Sequence, residues 1–262
     1  MKKLLCSSLL CAAAVLPPAV HAQAAAPAAA PAPDWTFSGN LGLFSDYRFR
    51  GMSQTDYGPA LQGGFDIAHS SGFYVGNWNS NVEQKLYNGA SLEMDFYGGF
   101  KGSVGDFSYD LGAIYYYYPK TGAGGLPKID NTELYVGAGF GPVTAKYYHA
   151  VSDFFGIPGT KNSYYIDLSA SFPLGNGFGV NAHVGYQKVK GLPSGSIDNN
   201  TDYKVGVTYD LSGWVFGLAY VGNSEKEFAY TGNSIYDYAA GLRAAPEGAG
   251  KGSVVVNVSK SF

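Results

Sequence analysis

From Asp34 to Phe262, apolar and polar residues alternate at period two in one segment after another, and the connections between segments are by turns short and long. No other property of the chain restricts its fold as much. In SLEMDFYGGFK, Leu92, Met94, Phe96 and Phe100 share one face, while Ser91, Glu93, Asp95, Tyr97 and Lys101 share the other. The first face cannot be solvated and the second cannot be dry. Each segment therefore reads as a strand lying between an apolar and a polar medium.

Twelve such segments are expected, at 35–49, 59–69, 72–81, 90–102, 106–118, 130–140, 142–151, 161–172, 177–188, 201–211, 213–223 and 252–262. Short turns (HSSG, SVGD, GP, PLGNG, DLSG) follow the even-numbered segments. Longer Gly-, Asn- and Pro-rich loops follow the odd ones, among them RGMSQTDYG and a stretch from Asn223 to Lys251. This alternation describes an all-β, up-and-down antiparallel meander with both termini at the short-turn end. Tilted strands of about ten residues can cross a bilayer, and no later apolar run is long enough for a transmembrane helix. The expected fold is a transmembrane β-barrel with short periplasmic turns and longer extracellular loops.

Aromatic placement supports an apolar exterior. With the apolar register outward, Trp35, Phe37, Phe107, Tyr109, Phe140, Phe172, Phe178, Tyr209, Trp214 and Phe262 ring the short-turn end. Tyr47, Phe49, Tyr115, Tyr117, Tyr147, Tyr164, Tyr186, Tyr203 and Tyr220 ring the long-loop end. Two aromatic girdles around an aliphatic band suit a membrane barrel. A water-soluble sandwich or ligand barrel would turn its apolar faces inward and leaves the two rings unexplained.

The first 22 residues, with Lys2 and Lys3 before an apolar run and small residues before Ala22, read as a secretory signal peptide. Leu10 stands where a small residue is expected before a lipidated cysteine, which disfavours lipidation of Cys11. An Ala/Pro spacer follows at 23–33, and the barrel is expected over 34–262. Both cysteines, Cys6 and Cys11, fall in the signal segment, so disulfide and thiolate chemistry are not expected of the mature chain. Without Lys2 and Lys3 the 17 basic residues fall short of the 20 acidic ones, for a net charge of about −5, which argues against nucleic-acid binding.

The inward register gathers the candidate functional residues. The first segment supplies Asp46, Arg48 and Arg50, the second Asp66, and the fourth Glu93, Asp95 and Lys101. Further round come Asp110, Glu133, Lys146, Asp167, His183 and Lys204, with the polar Gln187 and Asn257 beside them. Such charges either pair across a filled interior or line a wet passage and bias which solutes cross. Arg48 and Arg50 can grip a carboxylate or phosphate. Asp46, Asp66 or Asp95 can equally neutralise them, and the local acid supply favours that outcome. If the arginines meet solute, replacing both with Ala shifts selectivity toward cations with little effect on folding.

Catalytic signals are weak. Of the histidines, only His149 near Ser152 suits a lipid-facing hydrolase, and no third partner is evident. No HExxH or paired-cysteine spacing marks a metal site, and the glycine strings GAGFG and GNGFG lack a following helix, so no cofactor is expected.

The segment SDYRFRGMSQT with the following GPALQGGFDIAHSSGFYVGNWNSNV resembles the N-terminal signature of the TorF-type porins, also described as the Gcw_chp family. EMDFYGGF and the final SKSF agree with it. The resemblance implies a Gram-negative outer-membrane location and a pore-like barrel, and no catalytic residues. Together these readings lead to an outer-membrane channel for passive diffusion of small polar or charged solutes. Its expected partners are outer-membrane lipid, those solutes, and the assembly machinery that would read a final strand ending at Phe262. A lipid-modifying enzyme and a plugged structural barrel are the alternatives.

Overall fold

A computed structural model describes residues 34–122, 128–192, 194, 198–225 and 248–262. The signal segment and spacer lie outside these residues, as does most of the connection between Asn223 and Lys251. Fourteen strands form among the described residues: β1 (Trp35–Phe44), β2 (Arg48–Phe49), β3 (Met52–Ser53), β4 (Ala60–His69), β5 (Phe73–Asn81), β6 (Leu92–Val104) and β7 (Phe107–Tyr117). Then come β8 (Asn131–Phe140), β9 (Val143–Ala150), β10 (Tyr164–Gly175), β11 (Phe178–Lys188), β12 (Asn199–Leu211), β13 (Trp214–Asn223) and β14 (Ser253–Ser261).

Twelve of these strands close into one antiparallel barrel, each paired with its sequence neighbours in the wall; β2 and β3 stand apart as a separate hairpin. Closure joins β1 to β14, with Asn40 opposite Ser261 and Phe44 opposite Asn257. Phe262 extends this seam, exchanging backbone hydrogen bonds with Gly39 at 2.8 and 3.2 Å. Closure leaves no free sheet edge, the condition for strands to cross a bilayer.

Burial is inverted relative to a water-soluble protein. Phe37 is 74% and Val205 60% exposed on the outside, while Glu133 and Asp95, facing inward, are 0% and 1% exposed. In water each such aliphatic surface would cost about 25 cal/mol per Å². A lipid exterior removes that cost. The wall strands fall within three residues of the expected segments at every boundary but one.

That boundary is the end of the first segment, expected to run to residue 49. The wall strand stops at Phe44, and the chain then turns into the barrel. Arg48 faces Ser53 and Phe49 faces Met52 across a two-residue turn, Arg50–Gly51, with φ of 47° and 78°. Positive φ at both positions is the pattern of the tight hairpin turn that glycine favours. Tyr47 and Phe49 therefore do not join the outer girdle. Tyr47 is buried inside, its ring edge-on to Trp78 at 5.4 Å, and Phe49 packs on Tyr116 and Phe155.

Strand β5 departs from the apolar-out rule. Trp78 faces inward to meet Tyr47, and Asn77, Asn79 and Asn81 occupy the outer register. Their amide N–H groups find acceptors within the protein, while the buried Asn79 Oδ1 has no partner among the described residues. Asn77 donates to the Asp95 carbonyl (3.0 Å), Asn79 to Asn77 Oδ1 (2.6 Å), and Asn81 to the Pro59 carbonyl (3.1 Å). Internal satisfaction of these donors is what permits amides on a lipid-facing sheet.

Candidate functional site

The interior differs sharply between its two ends. Near the short turns many inward positions are small, among them Ser38, Ser108, Gly139, Thr144, Ser171, Thr208 and Gly217, with Tyr74, Lys101, Asp210 and Val215 in the same register. Near the long loops the interior holds a packed cluster that includes Tyr47, Trp78, Leu86, Tyr87, Tyr118, Phe154 and Ile157. Trp78 belongs to the β5 wall and Tyr118 follows β7; the others come from three connections that fold inward, at 45–59, 82–91 and 151–163. Tyr87 stacks on Tyr118 at 4.6 Å, and Glu83 N–H donates to the Gln54 carbonyl, tying the first two connections together. The barrel is thus filled at one end and lined by many small residues at the other.

The hairpin is pinned by its two arginines. Arg48 pairs with Asp46 and donates to the carbonyls of Gly51, Ala249 and Lys251 and to Ser253 Oγ, at 2.6–3.2 Å for the last four. Asp46 also accepts from Ser53 and Thr55 hydroxyls. Every nitrogen of the guanidinium is bonded within the protein. Arg50 crosses the lumen to Glu133 (2.6 Å), donates to Gln187, and lies over the Tyr165 ring at 4.2 Å. Burial alone would lower the Arg50 pKa, but the Glu133 carboxylate raises it and holds the guanidinium charged. The hairpin tip presses on the wall: a Cβ on Gly51 would lie 2.6 Å from the Gly222 carbonyl oxygen and 2.7 Å from Asp202 Cβ.

The remaining charges form local groups. Asp110 takes Lys146 (2.7 Å) and the Tyr74 hydroxyl (2.6 Å). Asp66 accepts from Tyr97 (2.7 Å), and Lys101 lies over the Tyr74 ring at 4.9 Å. Glu93 accepts from Tyr47 at 3.0 Å. Asp95 is buried beside Glu93 and Glu133, with no ion-pair partner within 4 Å among the described residues. His183 sits between two carboxylates, Nδ1 on Asp167 and Nε2 on Asp202, each at 2.5 Å. A doubly protonated ring satisfies both. All thirteen candidate residues face the interior, but Asp46, Arg48 and Arg50 do so from the inserted hairpin rather than from the wall.

Sequence reasoning missed Asp202, which bridges His183 and Tyr165. The signal was present: it is two residues from Lys204 and so on the same face. His149 is bonded to Tyr147 (3.0 Å) and Asn162 (3.2 Å). Ser152 instead donates to Asn131 and accepts from the Thr132 N–H. This pair has no nucleophile–base contact.

Against the hairpin lies a cavity of about 130 Å³, lined by hairpin residues, by β10 to β14, and by Phe44, Gln62, Tyr116 and Tyr148.

The profile of a family described as "Bacterial protein of unknown function (Gcw_chp)" matches residues 28–262. No curated protein matches the chain. Among solved structures, the KdgM porin superposes with a TM-score of 0.53 at 7% identity, covering 86% of this chain and 98% of that one. The NanC porin superposes with a TM-score of 0.50 at 8% identity, covering 87% and 99%. At such identities the likeness is one of fold.

Proposed function

The chain belongs to the Gcw_chp family, and from that premise we propose that it is an outer-membrane channel for small polar or charged solutes. Residues 1–22 would direct export, the short turns would face the periplasm, and Phe262 would close the strand read by the assembly machinery. The observation that carries this reading is the closed barrel with an apolar exterior and buried charged residues inside its wall. Fold likeness to KdgM and NanC supports it.

The inserted hairpin favours a second reading, a barrel plugged for a structural role. Planar-bilayer recording of the purified mature protein separates the two. Defined conductance steps are expected for the channel. A silent membrane would leave the plugged barrel, and release of fatty acid or headgroup from the lipid would establish an enzyme instead.

A further inference from the structure

The arginines of the opening motif are consumed by the protein itself, so a solute passing the hairpin must find another cation. Lys204 projects from β12 into the cavity against the hairpin, in register with His183 on β11 and Val221 on β13. It has no hydrogen-bond or ion-pair partner among the described residues. The carboxylates around it are engaged: Asp202 accepts from Tyr165 through both oxygens (3.1 and 3.0 Å) and faces His183, while Asp167 takes His183 and Ser169. Asp46 is held by Arg48. An ammonium offers three donors and no acceptor, and enclosure without an acceptor is costly. Asn257, lining the same cavity, likewise has no side-chain partner among the described residues.

We propose that Lys204 is the anchoring cation of a binding site for a small carboxylate in this cavity, with Asn257 as a neutral neighbour. The proposal deepens the channel reading by naming the solute class, and rests on that reading only for how the solute arrives. Size narrows the class: a cavity of about 150 Å³ accepts a benzene ring, so about 130 Å³ suits a carboxylate of roughly six heavy atoms. Val221, Val255 and Ala219 on the same wall provide an apolar side for its carbon skeleton.

Lactate, with its neutral isostere lactamide, is a suitable probe for the full mature protein folded in detergent and in proteoliposomes. Ligand-observed NMR is expected to show lactate bound about tenfold tighter than lactamide, a difference lost in Lys204→Gln and kept within about threefold in Lys204→Arg. Retained heat-dependent gel mobility checks that each variant is folded. Lactate binding equal to lactamide, absent, or unchanged in Lys204→Gln overturns the site. A Lys204 that only balances Asp202 at a distance gives that last result. Liposome swelling tests the channel separately: Lys204-dependent binding without lactate flux keeps the site and removes the channel.

Discussion

Arg50 and Glu133 illustrate how a residue's meaning changes with its depth. From the alternation of FSDYRFRG, Arg50 reads as an inward wall residue that either meets solute or, as the local acid supply favours, is neutralised by nearby carboxylates, and whose loss together with Arg48 shifts selectivity toward cations and leaves folding intact. Among the described residues its guanidinium is the one cation bonded to Glu133, which is fully buried close to Asp95 and Glu93. Removing one partner of such a pair strands a charge and costs about 3–5 kcal/mol. Arg50→Ala is therefore expected to lower stability by that order, measured by urea unfolding in lipid vesicles with the fluorescence of Trp35, Trp78 and Trp214 as the reporter. Arg50→Ala with Glu133→Gln is expected to recover most of the loss, since no charge is then stranded. Equal stability of Arg50→Ala and the parent would mean that the hairpin is not held by this pair.

At the level of elements, the wall strands were legible because a one-residue register error would turn every apolar side chain into the lumen. The hairpin was not, and the reason lies in the same periodicity. Asp46, Tyr47, Arg48, Phe49 and Arg50 alternate as a wall strand does, and nothing in a period-two pattern tells lipid from a packed interior. The available signal was Arg50–Gly51, a glycine at the second position of a tight turn. Asn77, Asn79 and Asn81 were a further clue, because their polar register forces Trp78 inward, where it needs a partner. Gly51 tests the hairpin as an element. With φ of 78° and the Gly222 carbonyl close by, a valine there adds about 1–3 kcal/mol of backbone strain before any clash is counted. Gly51→Val is expected to lift the hairpin off β12 and β13 and to expose Arg48 and Arg50 to trypsin, while the barrel keeps its heat-dependent gel mobility. Continued resistance at both arginines would show that the tip tolerates displacement without leaving the lumen.

For the whole molecule, if the barrel conducts as proposed, the filling of one end makes the inserted hairpin the first element to test as its constriction. The hairpin also carries Arg48 and Arg50, the two arginines among the described residues. Replacing residues 46–55 with a Gly/Ser linker of equal length removes Asp46, Arg48 and Arg50 together, and uncovers Glu93, Asp95 and Glu133 on the β6 and β8 wall. Rings of carboxylates favour cations. Two changes are expected in planar bilayers under a salt gradient: single-channel conductance rises several-fold, and the reversal potential moves toward the cation value. They come from different causes, since the first follows from removed volume and the second from uncovered charge. Glu93→Gln, Asp95→Asn and Glu133→Gln in the linker background should therefore cancel the potential shift and leave the conductance gain. A linker variant with parental conductance would place the constriction in the other inward connections, at 82–91 and 151–163, rather than in the hairpin.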